Sequence, residues 1–294
     1  MTITGHKRSI ADNLPEDISL ARGRKLSLAR TLIMGIINVT PDSFSDGGSI
    51  ATPFDAGEVA IQMEKKGADI IDIGGESSRP GADPVPLDEE FRRVIPAIKA
   101  IRKETNILIS IDTYKAEIAS AAIEAGADIV NDISALRFDS KMAEVVNSKD
   151  VPVVLMHMLG TPRDMQKNPV YENCLNDIVD FFKDRIAYCE KHDIKRQKII
   201  LDPGIGFGKR LTDNLEILSN ISSIKALGFP VLIGASRKSF INMINPSDKE
   251  SNERLGGSIA AAIAAVLNGA SIIRVHDVEE TVEAVKVLEA IRES

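Results

Sequence analysis

Short apolar runs alternate with helical patterns along the chain after residue 30, and this alternation is the strongest constraint on its fold. The runs are rich in β-branched residues and almost wholly apolar, as is typical of parallel strands that are buried on both faces. The runs span residues 33–39, 68–75, 107–113, 127–133, 151–158, 198–203, 230–235 and 271–276. The pattern therefore predicts an α/β protein built on a parallel sheet.

The segments between the runs carry apolar residues at helical spacing. One predicted stripe is Phe91, Val94, Ile95, Ile98 and Ile101, and another is Val278, Val282, Val285, Leu288 and Ile291. Eight strands, each followed by a helix, predict a (β/α)8 TIM barrel of about 250 residues in a single domain. A doubly wound open sheet also alternates, but it usually has a G-x-G-x-x-G loop after its first strand, and NVTPDSFSDGG lacks one. We place the barrel in residues 21–294 and expect a loose tail in residues 1–20.

Composition and charge exclude several classes of protein. The net charge is −7 and no basic block is present, so we expect neither a nucleic-acid partner nor an acidic membrane partner. The first 20 residues contain no apolar core of signal-peptide length. The longest apolar stretch, residues 256–275, is broken at Asn268 and reads as helix, turn and strand. With only two cysteines, which we expect to be buried thiols, a cytoplasmic protein is predicted.

Polar side chains gather where the predicted strands end, and in barrels of this kind the carboxyl ends of the strands form the active site. Every strand contributes at least one candidate, whereas the opposite ends carry mostly Gly, Pro and Lys. The candidates are Asn38, Asp42, Glu76, Ser78, Arg79, Asp112, Thr113, Asn131, Asp132, His157, Asp202, Ser236, Arg237, Lys238, Ser239, Arg274, His276 and Asp277. This asymmetry indicates an enzyme.

Four of these candidates also have a structural interpretation. Asp277 directly precedes the last helical stripe, where an N-cap is expected. Asp132 either ties neighbouring loops together or contacts a ligand. His157 is either a hydrogen-bonded interior histidine or a catalytic base. Glu76 either contacts substrate or pairs with a neighbouring cation.

Three candidates at the strand ends form a group rich in hydrogen-bond acceptors: Asp112, Asn131 and Asp202. An unpartnered polar group at the end of a buried strand is costly, so a ligand is the expected partner. Carboxylates and amides on different strands can bind the N–H and amino donors of a flat heterocycle, while Lys238 meets its carbonyl oxygen.

A second group suits an anion. Arg274 and a protonated His276 are expected to bind phosphate oxygens. The side-chain oxygen of Asn38 suits Mg²⁺ bound to a diphosphate. We therefore expect the acceptors to hold a ring on one side of the site and the cations to hold its leaving group on the other.

Eight fragments, in order from about Arg24 to the C-terminus, together resemble the dihydropteroate synthases of the folate pathway. They are IMGIINVTPDSFSDGG, DIGGESSRPGA, ISIDTYK, IVNDIS, VVLMHMLGTPRDMQ, ILDPGIGFGK, IGASRKSF and IRVHDV. Enzymes of this family join p-aminobenzoate to 6-hydroxymethyl-7,8-dihydropterin diphosphate and release pyrophosphate and 7,8-dihydropteroate. The resemblance implies a transferase that uses Mg²⁺ and forms a homodimer.

The resemblance also implies roles for individual residues. The implied catalytic residues are Asn38, Asp42, Lys238, Arg274 and His276, with Asn38 as the metal ligand. The implied pterin diphosphate site consists of Ser78, Asp112, Asn131, Asp202, Lys238, Arg274 and His276. The implied p-aminobenzoate site consists of Ser78, Arg79, Pro80, Phe207, Lys238 and Ser239. The family commonly has Thr-Arg-Pro where this chain has Ser78-Arg79-Pro80, so the hydroxyl is kept and a methyl is lost.

The implied mechanism is dissociative. Diphosphate leaves first, helped by Mg²⁺, Arg274 and His276, and Asp42 and the dihydropterin ring stabilise the methylene cation that the arylamine attacks. The segments TPDSFSDGG and SSRPGADP resemble the two mobile loops of the family, which cover the mouth.

Two rival interpretations stay open from the sequence. A pterin-dependent methyltransferase shares the barrel but has no need for a diphosphate clamp or for the SRKSF run, and both are present. A non-catalytic pterin-binding paralogue would be favoured by the loss of Asn38, Arg274 or Lys238, and all three are retained.

Overall fold

The computed structural model describes residues 14–39, 55–246 and 250–294. The strands in this part of the chain are β1 (Asp17–Ser19), β2 (Lys25–Ser27), β3 (Leu32–Asn38), β4 (Ile70–Gly74), β5 (Leu108–Asp112), β6 (Ile129–Asp132), β7 (Val153–Met156), β8 (Ile199–Asp202), β9 (Leu232–Ile233) and β10 (Ile272–Val275). The α-helices are α1 (Asp55–Lys65), α2 (Leu87–Glu104), α3 (Ala116–Ala125), α4 (Met142–Lys149), α5 (Cys174–Lys191), α6 (Leu211–Ser219), α7 (Ile221–Lys225), α8 (Ser239–Ile244), α9 (Leu255–Leu267) and α10 (Val278–Glu293). Short 3-10 turns cover Ala21–Gly23, Arg196–Lys198 and Ser251–Glu253.

Strands β3 to β10 form one parallel sheet in the order β8-β7-β6-β5-β4-β3-β10-β9. A parallel bridge between Leu201 and Val231 joins the two edges. The amide of Leu201 donates to the Pro230 carbonyl at 2.9 Å across the same junction. The sheet therefore closes on itself, and the predicted (β/α)8 barrel in a single domain is confirmed.

Successive residues of each strand point to opposite sides of the barrel wall. In β4, Ile71 and Ile73 belong to the large core cluster that includes residues of the surrounding helices. Ile70 belongs instead to a smaller cluster formed with inward-facing residues of other strands. This smaller cluster fills the lower barrel with Leu32, Met34, Ile70, Ile129, Val154, Ile200, Leu232 and Ile272. The runs look uniformly apolar because the wall is buried on both faces.

The inward positions become polar toward the carboxyl ends of the strands. Two residues after Ile70 comes Asp72, and two residues after Ile200 comes Asp202. Arg274 follows Ile272 in the same way. Because residues two apart in a strand share a face, these side chains lie on the inner side of the wall, above the apolar layer. The site is thus set by the same alternation that builds the core.

The amino-terminal end of the barrel is covered by an antiparallel hairpin of β1 and β2. Ile18, Leu20 and Leu26 are buried in the cluster inside the barrel. The Arg24 Nη1 donates to both carboxylate oxygens of the buried Asp128, at 3.0 and 2.9 Å. The predicted loose tail is therefore wrong for Asp17–Ser19, which are held by strand pairing and by burial of Ile18; residues 1–13 lie outside the described residues.

The two predicted helical stripes are confirmed except at one end of each. Val94, Ile98 and Ile101 of α2 are fully buried, whereas Phe91 is 44% exposed. In α10 the exposed end is Ile291, at 65%. Among the described residues no helix combines the length and apolar character needed to cross a membrane.

Replacing Ile18 with alanine tests whether the hairpin is part of the folded barrel. Ile18 is fully buried, so Ile18→Ala should lower the free energy of unfolding by about 2–5 kcal/mol, measured by urea denaturation. The control is the neighbouring exposed Ser19→Ala, for which a change within about 0.5 kcal/mol is expected. Equal stability of the two variants would mean that the segment does not pack as described.

Candidate active site

One large cavity opens at the carboxyl ends of the strands, with a volume of about 1460 Å³. Most of the predicted site residues line it, namely Asn38, Ser78, Arg79, Pro80, Asp112, Phe207, Lys238, Ser239, Arg274 and His276. Asn131 and Asp202 are more deeply buried, at 4% and 6% exposure. Asp42 lies outside the described residues. Side chains from distant parts of the chain thus share one mouth.

Two glycines keep this mouth open. Gly74 lies in register between Asn38 on β3 and Asp112 on β5. A Cβ at Gly74 would sit 3.6 Å from the Asp112 Cβ and 3.7 Å from the Asn38 Oδ1, so the glycine leaves the space between them free. On the other side, a Cβ at Gly234 would sit 3.8 Å from the Arg274 side chain.

Arg274 lies among the carboxylates instead of opposite them. Its Nε donates to the Asp72 Oδ2 at 2.6 Å, and its Nη2 donates to the Asp112 Oδ2 at 2.8 Å. The expected division into an acceptor side and a cation side is therefore wrong for Arg274. A buried guanidinium without carboxylate partners would carry a large desolvation cost, which these two ion pairs offset.

Asp72 is a site residue that the sequence analysis did not identify. It is fully buried in β4, and its Oδ2 also accepts a hydrogen bond from the Asn131 Nδ2 at 3.1 Å. The aspartate stands inside an apolar run, where the pattern indicates a buried strand and not a site. Its position two residues after the inward-facing Ile70 was the signal that could have revealed it.

Asp202 and Lys238 are two further ionisable groups of the site, and the charge of each affects the pKa of the other. Burial raises the pKa of Asp202 to about 6, although a hydrogen bond from the Gly204 amide and the charge of Lys238 oppose the shift. Burial likewise lowers the pKa of Lys238 to about 8, with the charge of Arg274 acting in the same direction. The Lys238 Nζ lies 4.0 Å from the centre of the Phe207 ring, a distance suited to a cation–π contact.

His276 is neutral near pH 7, contrary to the expectation of a protonated ring. Its Nδ1 lies 3.0 Å from the Ser236 Oγ. Burial lowers the pKa of His276 to about 3, and the charges of Arg237, Arg274 and Lys238 lower it further. The expectation failed mainly because burial disfavours the charged ring, and cations from neighbouring strand ends act in the same direction.

Glu76 and His157 have the structural roles that the sequence left open. Glu76 pairs with Lys115 at 2.6 Å and accepts a hydrogen bond from the Tyr114 hydroxyl at 2.7 Å. The His157 Nδ1 lies 3.0 Å from the Nζ of the buried Lys209. Burial lowers the pKa of His157 to about 2, so it is an interior histidine.

Asp132 and Asp277 also make contacts within the protein. Asp132 accepts the amides of Ser134 at 2.7 Å and Leu136 at 2.8 Å, which shapes the turn after β6. Asp277 occupies the N-cap position of α10, but its side chain makes no capping bond. The predicted N-cap position is confirmed, but the carboxylate pairs with Arg237 at 2.6 Å instead of capping the helix.

Comparisons with known proteins agree with this architecture. A family model described as pterin binding enzyme matches residues 34–276. The dihydropteroate synthase of Escherichia coli K12 is 45% identical over 273 residues, which span 92% of this chain and 95% of that protein. The dihydropteroate synthase of Yersinia pestis, solved with a sulfonamide drug, has a TM-score of 0.89 and 43% identity over 93% of this chain and 98% of its own. That of Xanthomonas albilineans, solved with 4-aminobenzoic acid, has a TM-score of 0.86 and 41% identity over 95% and 99%.

The barrel and its polar mouth, together with the family match, define a pterin-binding enzyme. Within that class, the chain belongs to the dihydropteroate synthase family. The predicted family and its activity, a transferase of folate biosynthesis, are thereby confirmed. The methyltransferase alternative is not favoured, because these relatives are synthases.

The raised pKa of Asp202 predicts an unusual pH dependence of stability. The pKa of Asp202 is about 6 in the folded state, whereas that of an unfolded aspartate is about 3.9. Between about pH 4 and pH 6, the folded state therefore holds a proton that the unfolded state has lost. The contribution of Asp202 to the free energy of unfolding should therefore fall by about 3 kcal/mol as the pH rises through this range.

Asp202→Asn removes this titration and leaves the other groups in place. Urea denaturation of both proteins at several pH values should show the stability of the wild type falling relative to the variant as the pH rises. A difference between the two proteins that is constant with pH would contradict the assigned pKa.

Proposed function

We propose that this chain condenses 6-hydroxymethyl-7,8-dihydropterin diphosphate with p-aminobenzoate to give 7,8-dihydropteroate and pyrophosphate. The observation that carries the proposal is the convergence of Asp112, Asn131, Asp202, Lys238 and Arg274 at one barrel mouth.

The pterin ring is proposed to bind the buried acceptors. Asp202 and Asp112 accept hydrogen bonds from ring N–H and amino groups, and Asn131 offers its side-chain oxygen. Donors from the ring favour the ionised carboxylates, so ring binding should lower the raised pKa of Asp202. The Lys238 ammonium meets the ring carbonyl oxygen.

The diphosphate is proposed to bind beside Arg274 and His276. Arg274 supplies a fixed positive charge. Neutral His276 contributes as a hydrogen-bond donor: when the Ser236 hydroxyl donates to Nδ1, the proton of the ring resides on Nε2 and can be donated to a phosphate oxygen. Both groups stabilise negative charge that develops on the departing diphosphate, which is the main catalytic contribution we assign to the protein.

The p-aminobenzoate is proposed to bind at the outer part of the mouth. The stacked Phe207 and Lys238 form one wall for its ring, and Pro80 of the loop after β4 forms the other. Ser78, Arg79 and Ser239 offer hydroxyl and guanidinium donors nearby, with Ser239 assigned to the carboxylate. Attack by the arylamine needs no strong base, because this amine is uncharged at neutral pH. The nitrogen carries an extra, acidic proton once the C–N bond has formed, and that proton passes to water or to the released pyrophosphate. The low pKa of His276, about 3, is in keeping with that chemistry.

A magnesium ion is proposed as the metal, with Asn38 as its protein ligand. Among the described residues, no cluster of three or more His, Cys, Asp or Glu side chains is arranged to hold a metal ion. Mg²⁺ takes oxygen ligands, keeps several waters and usually binds through carboxylates and substrate phosphates. The Asn38 oxygen would therefore be a minor ligand of an ion held mainly by the diphosphate and water. The ion would supply positive charge to the leaving group. Asp42, the other proposed catalytic residue of this region, lies outside the described residues.

A cytoplasmic homodimer is also proposed. A groove of about 560 Å³ lies between α6, α8 and α9, and the exposed Leu215 and Ile244 line it. Two further exposed apolar residues, Met243 and Leu267, lie on α8 and α9. Apolar patches of this kind mark protein interfaces. The two cysteines, Cys174 and Cys189, are free and buried, in keeping with a reducing compartment. Sedimentation of a monomer at micromolar concentration would refute the dimer.

The proposal is tested by incubating the protein with both substrates and Mg²⁺ and following pyrophosphate and dihydropteroate. Arg274→Lys should lower kcat/KM for the pterin diphosphate by about 100-fold or more. The lysine keeps the positive charge but loses the planar guanidinium that donates to Asp72 and Asp112 at the same time. A matched control is Arg102→Lys, because Arg102 also pairs with a buried carboxylate, Asp128, but at the opposite end of the barrel.

Arg102→Lys should lower stability and leave kcat/KM at 25 °C unchanged. Formation of dihydropteroate at the wild-type rate by Arg274→Lys would refute the role of Arg274. Pterin binding without pyrophosphate release by the wild type would instead favour a non-catalytic paralogue.

A further inference from the structure

A single carboxylate oxygen joins two of the proposed substrate-binding residues. The Asp72 Oδ2 accepts hydrogen bonds from the Arg274 Nε at 2.6 Å and from the Asn131 Nδ2 at 3.1 Å. Asp72 is fully buried and lies behind both partners, so its contacts with them are the way in which it acts on the site.

The contact with Asn131 determines which end of the amide faces the cavity. An amide has one donor end and one acceptor end, whereas an ionised carboxylate only accepts. Asp72 is paired with a guanidinium, so it binds the NH₂ end of Asn131 and directs the carbonyl oxygen elsewhere. Without a carboxylate at position 72, the amide of Asn131 could adopt either orientation.

The contact with Arg274 fixes the plane of the guanidinium. Its Nε is held by Asp72 on β4 and its Nη2 by Asp112 on β5. The donors of an arginine lie in one rigid plane, so two carboxylates on neighbouring strands define the direction of the remaining N–H groups.

We propose that Asp72 is a positioning residue, which turns the Asn131 oxygen toward the pterin ring and holds Arg274 in the plane needed for the diphosphate. This inference rests on the proposed roles of Asn131 and Arg274. It adds a determinant of ring recognition that does not itself line the mouth.

The test measures binding of 6-hydroxymethyl-7,8-dihydropterin, which lacks the diphosphate, to the full-length protein by calorimetry. Asp72→Asn is nearly isosteric but allows Asn131 to turn, and it should weaken binding by about tenfold or more. The control is Ser110→Ala. Ser110 lies on β5 in register with Asp72 and is also fully buried. This control variant should change the Kd by less than about twofold.

A charge swap separates positioning from simple loss of packing. In the double variant Asp72→Asn/Asn131→Asp, the new amide at position 72 can donate to the new carboxylate at position 131. Both oxygens of that carboxylate are acceptors, so an acceptor faces the ring in either orientation. The swap should restore the Kd to within about threefold of the wild type.

Binding by folded Asp72→Asn at wild-type strength, or a swap no better than the single variant, would overturn the proposal. If Asp72→Asn does not fold, as judged by circular dichroism, the swap decides alone: a Kd within about threefold of the wild type supports positioning, and a weaker Kd refutes it. The variant Asp202→Asn separates the positioning role of Asp72 from the proposed pterin site itself. If that variant also binds the ring normally, the assigned pterin site is wrong; if it binds weakly, failure at Asp72 refutes only the positioning role.

Discussion

The site depends on one arrangement: a largely buried guanidinium, Arg274, is held between the fully buried carboxylate of Asp72 and the partly exposed carboxylate of Asp112 on the neighbouring strand. Arg274 donates to Asp72 and Asp112 at 2.6 and 2.8 Å. Removing any one member would leave buried charge uncompensated, which costs several kcal/mol. The same three groups set the local electrostatics, because Arg274 opposes the rise that burial causes in the pKa of Asp112.

The barrel supplies this arrangement by ordinary strand geometry. The inward positions are apolar at the amino-terminal end, where Ile18, Leu20 and Leu26 complete the packing. Toward the carboxyl ends of the strands, the inward positions carry polar residues or glycine. Gly74 and Gly234 leave space there for a ligand. Stability and function therefore occupy different layers of one interior, as is usual for barrels of this class.

The strands, their closure into a barrel and the shared mouth could be predicted from the sequence, because burial on both faces gives a strong apolar signal. Asp72 was missed for the same reason: a polar residue within an apolar run is less visible than one at its end. The charge of His276 could not be inferred, since it depends on how deeply the ring is buried and on the charges of Arg237, Arg274 and Lys238 near it in three dimensions. The hairpin was missed because Ile18 stands among polar residues in a strand of only three residues. The assigned roles of the site residues came from family resemblance, and they stay predictions.

The central claim is that the acceptors and Arg274 hold one ligand together at the barrel mouth. The most direct test is a crystal structure of the protein with a non-hydrolysable pterin diphosphate analogue and p-aminobenzoate. The account predicts the ring edge within hydrogen-bond distance of Asp202 and of the Asn131 oxygen, with the phosphates beside Arg274 and His276. A pterin bound outside this mouth, or one whose phosphates point away from Arg274, would contradict it.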